Sequence, residues 1–169
     1  MKKAVSFLLV VCMLTLIGCR QEEQQPELYF YYPRQAYTQN SSDSVIAQEN
    51  RENVGYLTTV DLLNDYLKGP ADPNLRNPFP ADLQIVDVYV INGTVIITVT
   101  DDLSLLTGTD LIIACAALGN TAIRATGIRA ARVCCQSAKL DGENYIQIDD
   151  STVRYLDTVP PETTVFPKE

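Results

Sequence analysis

Asn92-Gly93 separates two β-rich runs, Leu83 to Ile91 and Thr94 to Thr100, and this pair restricts the fold more than any other local feature of the mature chain. Asparagine and glycine accept the positive φ that both central positions of a type I′ turn require. The two runs are therefore expected to close as an antiparallel hairpin with a two-residue loop. Ile85, Val88 and Val90 do not alternate strictly, which points to a bulge or to a strand covered on both faces.

Elements on either side follow from similar local chemistry. Leu28-Tyr29-Phe30-Tyr31-Tyr32 packs aromatics into a short run that favours a strand, and Pro33 ends it. Val45-Ile46-Ala47 is a weaker strand able to pair back on the first. Next comes a helix, capped by Thr58 or Thr59 with Asp61 in its first turn. Leu57, Val60, Leu63, Tyr66 and Leu67 fall at helical spacing on one face, widened by Leu62. Gly69-Pro70 stops this helix, and a loop containing Pro73, Pro78 and Pro80 follows. Leu111 to Leu118 is apolar without a break and too alanine-rich for a strand. With Thr109 or Asp110 as cap, it reads as a buried helix running to about Arg124. Gly119 costs about 1 kcal/mol relative to alanine there, but permits close packing. Ile128 to Cys135 reads as a strand. Tyr145 to Ile148 and Val153 to Leu156 are expected to form a last hairpin around Asp149-Asp150-Ser151. The expectation is an α+β fold in the order β(β)αββαβ, with a small mixed or antiparallel sheet and two helices packed on one face.

The amino terminus bears on location. Lys2 and Lys3 precede an apolar run from Ala4 to Ile17 that closes in Leu16-Ile17-Gly18-Cys19. A basic start, an apolar stretch and a small residue at the end make residues 1–18 a signal peptide. The run is shorter than the roughly 20 residues needed to span a bilayer. The site resembles a bacterial lipobox: Leu16 takes the apolar position, Gly18 admits the peptidase, and the Cys19 thiol is the nucleophile that takes a diacylglyceryl group. Residues 19–27 then read as a tether with a reach on the order of 15 Å, residues 28–156 as a single domain, and residues 157–169 as a loose tail. Two acyl chains hold a protein stably on a membrane. The expected location is the outer face of the cytoplasmic membrane.

Composition excludes several function classes. Loss of Lys2 and Lys3 takes the formal net charge from −8 to −10, which argues against nucleic acid and against a basic lipid-binding patch. The sequence has no histidine, so Ser-His-Asp and Cys-His chemistry cannot be built, and the commonest zinc ligand is missing. No catalytic residues, metal site or cofactor are expected. Cys115, Cys134 and Cys135 remain in the mature chain and read as core residues. A bridge from Cys115 to Cys134 or to Cys135, or a redox site, is the alternative. Asp101-Asp102 and Asp149-Asp150 read as solvated turn acids rather than metal ligands, and Asp102 as a cap before Leu103. Arg124, Arg129 and Arg132 lie close in sequence and could receive a carboxylate or phosphate. Exposed helix-end and strand positions are the plainer reading. Tyr29, Tyr31 and Tyr32 could offer a sugar-stacking face on one side of their strand.

Taken in order, these segments resemble a GerMN domain, the module of GerM-type sporulation and germination envelope proteins. The matching pieces are Leu28-Tyr29-Phe30-Tyr31, Arg51, Leu67-Lys68-Gly69-Pro70, Phe79-Pro80 and Val90-Ile91-Asn92-Gly93-Thr94-Val95. Asp102-Leu103-Ser104, the helix ending near Asn120-Thr121 and the strand Ile128 to Val133 complete them. The resemblance covers about residues 28 to 140. It departs at the Cys134-Cys135 pair and after Leu140, and many relatives carry two such domains where this chain has room for one. It implies a noncatalytic lipoprotein that contacts another envelope protein during sporulation or envelope-complex assembly. The alternative expectation is an envelope lipoprotein that holds a small molecule or a glycan.

Overall fold

A computed structural model describes residues 27–36 and 44–149. Leu16, Gly18 and Cys19, the tether up to residue 26 and the expected strand Val153 to Leu156 lie outside the described residues. The elements are β1 (Leu28–Pro33), β2 (Ile46–Arg51), α1 (Thr59–Tyr66), β3 (Ile85–Ile91), β4 (Thr94–Val99), a 3-10 turn (Asp101–Leu105), α2 (Gly108–Thr126), β5 (Ala131–Cys135) and β6 (Ile146–Ile148). The α+β class holds.

The strands form two sheets rather than one. β1 and β2 make an antiparallel pair, and the other four make a mixed sheet in the order β3-β4-β5-β6, with β4 and β5 parallel. The reason for the split lies on the edge of β1. The Tyr31 N–H donates to Thr121 Oγ1 at 3.0 Å, and the Tyr31 carbonyl accepts from the Tyr66 hydroxyl at 2.6 Å. Side chains of both helices thus satisfy the backbone groups of Tyr31, where a further strand would otherwise pair.

Local signals hold with small shifts. Asn92 and Gly93 adopt φ of +49° and +74°, as the type I′ turn requires. The β3-β4 register slips between Ile85 and Asp87, leaving Val86 as a bulge. Thr58 caps α1 by accepting from Asp61 N at 3.1 Å. Leu57, expected on the buried face of this helix, precedes it and is 93% exposed. α2 starts earlier than expected, with Thr107 rather than Thr109 or Asp110 at its cap, and ends at Gly127 with φ +71°. The turn out of α2 takes up residues 127–130, so β5 begins at Ala131 rather than Ile128. Tyr145 to Ile148 supplies β6, which pairs antiparallel with β5.

α2 packs against β1 and against the four-stranded sheet, contacting β4, β5 and β6. Leu111, Ala114, Cys115, Leu118 and Ala122 of the helix are fully buried, as are Val95, Ile97, Val99, Ala131, Val133 and Ile148 of the sheet. Burying one such large aliphatic side chain is worth about 1.5–3 kcal/mol. α1 packs against β3 and α2, and its Tyr66 ring meets Phe30, Tyr32 and Phe79 at centroid distances of 5.3, 4.7 and 5.3 Å.

Candidate functional site

Strand alternation divides the four-stranded sheet into two unlike faces. Val95, Ile97, Val99, Ala131, Val133 and Ile148 point inward to α2. The opposite face is ordered in rows by the register. Tyr89 pairs with Ile96, Ile96 with Arg132, and Arg132 with Gln147; in the next row Asp87 pairs with Thr98, and Thr98 with Cys134. Tyr145 joins this face by lying under the Arg132 guanidinium, 4.5 Å from it. Tyr89 is 48% exposed and Tyr145 44% exposed, while Ile96 between the strands is only 8% exposed.

Arg132 is held in place on this face. Its Nε donates to Gln147 Oε1 at 3.2 Å, and its plane stacks on Tyr145. Gln147 in turn donates to Asp149 Oδ2 at 3.4 Å. The three arginines do not converge on one anion. Arg124 stacks on Tyr29 at 4.6 Å, at the start of β1. Arg132 lies on the sheet face turned away from α2, and Arg129 is exposed in the connecting turn.

The tyrosines of β1 are placed in three different surroundings. Tyr32 is fully buried, Tyr29 lies under Arg124, and the Tyr31 hydroxyl donates to Gln48 at 3.3 Å. A cleft of about 460 Å³ does open beside that strand, lined by Glu27, Asn50, Arg51 and Glu52. Its lining residues are polar or charged by type, with their aliphatic stems also facing the cleft. Arg51 is already committed: it donates to Glu49 at 2.5 Å and to the Gly69 carbonyl at 2.7 Å. The second Glu49 oxygen accepts from the N–H groups of Ala71 and Asp72, each at 2.9 Å. Arg51 and Gly69, two positions that carry the sequence resemblance, therefore meet as a brace between β2 and the end of α1.

Asp101 and Asp102 are also spoken for; of the second pair, Asp149 accepts from Gln147 and Asp150 lies outside the described residues. Asp101 Oδ1 accepts from the N–H groups of Ser137 and Ala138 at 2.9 and 3.0 Å, so Asp101 ties the end of β5 to the 3-10 turn. Those donors hold its carboxyl below the usual carboxylate range. Asp102 accepts from Thr100 Oγ1 at 2.8 Å. An acid two residues beyond a strand hints at a cap, but its distant partner was not legible in sequence. Among the described residues, no group of three or more His, Cys, Asp and Glu is gathered to hold a metal ion. The three cysteines among the described residues, Cys115, Cys134 and Cys135, are free thiols, with Cys115 and Cys135 buried. Burial pushes the Cys115 thiol far up, and burial, then the nearby Asp101, pushes Cys135 up to about 11.

No family model and no curated protein matches the sequence. Among solved structures the chain is similar to the tandem GerMN domains of the sporulation protein GerM from Bacillus subtilis. The identity is 16% and the TM-score 0.56, over 80% of this chain and 49% of that one. The chain thus spans about half the length of that protein. It also overlaps a candidate lipoprotein from Clostridium perfringens at 15% identity and a TM-score of 0.45, over 78% of this chain and 91% of that one. With two helices, a separate aromatic strand pair and a mixed sheet, the protein shares the fold of a GerMN domain.

Proposed function

We propose that this protein is a noncatalytic binding domain of the bacterial cell envelope, tethered to the outer face of the cytoplasmic membrane by a lipid on Cys19. It docks another protein through the outer face of its four-stranded sheet. One observation carries the reading: α2 covers one face of the sheet, while the other presents Tyr89, Ile91, Arg132 and Tyr145 around the buried Ile96. Tyrosine and arginine are enriched in the energetic centres of protein interfaces. The lack of histidine supports the noncatalytic part, and Leu16-Ile17-Gly18-Cys19 supports the lipid. No helix among the described residues is long and apolar enough to cross a membrane. The fold it shares with GerM supports work in sporulation or in assembling an envelope complex.

Photocrosslinkers placed in living cells at Tyr89 and at Tyr145, with a control at the exposed Lys68 just past the end of α1, test the docking face. A discrete protein adduct from the two sheet positions, missing from the control, is expected. Adducts from Lys68 alone, or cell-wall glycan as the sole product, would refute it. Fractionation of a Cys19→Ser variant tests the anchor: the variant leaves the membrane fraction if the lipid holds the protein there.

A further inference from the structure

We propose that the occupant of this sheet face is the same face of a second copy of this chain, paired about a two-fold axis; the inference rests on the reading of that face as a docking surface. The basis is its charge pattern. Among the described residues, Arg132 on β5 is the cation of the face. Asp87 on β3 is a carboxylate one row away and two strands across. At about 4.8 Å per strand they stand on the order of 10 Å apart, too far to pair within one copy. A two-fold axis lying in the interface between them brings each Arg132 onto Asp87 of the other copy. It also sets Tyr89 of one copy near Ile96 of the other, because a two-fold interface uses the same patch twice.

Both charged groups have bonding capacity to spare. Arg132 uses Nε on Gln147 and its ring-facing plane on Tyr145, and its two terminal nitrogens make no hydrogen bond among the described residues. That is the planar fork a carboxylate accepts in two-pronged fashion. Asp87 spends one oxygen on the Val88 N–H at 2.8 Å, and its other oxygen makes no hydrogen bond among the described residues. Asp149, a further acid beside this face, already accepts from Gln147. In a chain of net charge −8, two copies repel over most orientations, and a reciprocal Arg–Asp exchange selects this one.

Pairing runs through the face rather than the edge. At the β3 edge the Ile85 N–H donates to Asn64 at 2.9 Å and its carbonyl accepts from Asn64 at 3.3 Å, while Asp87 occupies the Val88 N–H. Such plugs blunt edge-to-edge addition. Four short strands offer on the order of 300 Å² in plan, against the roughly 800 Å² per partner of a stable interface. The pair is therefore weak and concentration-dependent, and confinement to one membrane would raise its occupancy.

Sedimentation velocity on the chain carrying Cys19→Ser, from about 10 μM to about 1 mM, tests this. A monomer–dimer equilibrium is expected. Arg132→Asp and Asp87→Arg should each weaken the dimer by at least about tenfold, and the double swap should restore it to within about threefold. Arg132→Lys keeps the charge but loses the fork, so it should fall in between; thermal melts verify that each variant is folded. A wild-type monomer throughout, a dimer indifferent to the single swaps, or a double swap without recovery would overturn the second-copy pairing. The crosslinks from Tyr89 and Tyr145 then report separately on whether a different protein uses the face.

Discussion

Ile148 of β6 lies so close to Gly119 of α2 that a Cβ on residue 119 would sit 2.8 Å from both Cβ and Cγ1 of Ile148. Cβ of Ile148 is fixed to a strand backbone paired with β5, so rotating the side chain cannot relieve the overlap. Gly119→Ala gains about 1 kcal/mol of helix propensity, and overpacking costs about 1–3 kcal/mol. The variant should be less stable in urea. Combined with Ile148→Ala it should lose less than the sum of the two single changes. A Gly119→Ala protein at least as stable as the parent would show that the helix–sheet spacing has slack.

Tyr66→Phe should cost more than Tyr32→Phe. The Tyr66 hydroxyl serves the Tyr31 carbonyl, and its loss strands that acceptor against the helices, at about 1–3 kcal/mol. The Tyr32 hydroxyl donates to the Tyr66 carbonyl at 2.6 Å, but that carbonyl also accepts from the Gly69 N–H at 3.1 Å. Losing Tyr32's bond should cost only about 1 kcal/mol. Urea midpoints of the two variants rank them, and equal midpoints would mean that β1 does not depend on the helix contact.

The thiols should respond unequally to alkylation. Cys115 and Cys135 are buried, with thiols pushed above their ordinary range, while Cys134 is half-buried on the outer face beside Thr98. Iodoacetamide near pH 8 followed by peptide mapping should label Cys134 ahead of the other two in the native protein. All three should react after unfolding. Labelling of Cys115 at the rate of Cys134 would contradict its burial.

Acid should loosen the molecule in a definite window. The N–H groups of Ala138 and Ser137 hold the Asp101 carboxyl below its usual range, and the Tyr56 hydroxyl and then Lys68 do the same for Asp65. A depressed folded pKa contributes stability in full above the unfolded value of about 3.9, and loses it as pH falls through the folded value. The loss is therefore expected below about pH 4. Asp101→Asn keeps an acceptor oxygen but cannot titrate, so its melting temperature should fall less steeply between about pH 5 and about pH 2.5. Parallel curves for the two proteins would remove Asp101 from the account.

Much of the frame was legible in sequence because its causes are local. Asn92-Gly93 encodes its own φ values, Thr58 caps a helix three residues from its partner, and Val86 falls where the alternation of β3 breaks. Leu57 misled because apolar spacing does not mark where a helix starts. Asp101 and Tyr145 were not read as parts of a site because their partners lie elsewhere in the chain.

Sequence alone thus determined the order of elements, the hairpin and the want of imidazole chemistry, each a property of neighbouring residues or of composition. Tertiary structure decided the rest. Thr121 meets Tyr31 across 90 positions of chain and closes the edge that divides the strands into two sheets. α2 takes one face of the larger sheet and leaves Arg132 and Tyr89 on the other, parting Arg132 from Arg124. Which polar groups are spent and which remain for a partner depends on contacts between distant segments, and no local pattern encodes those.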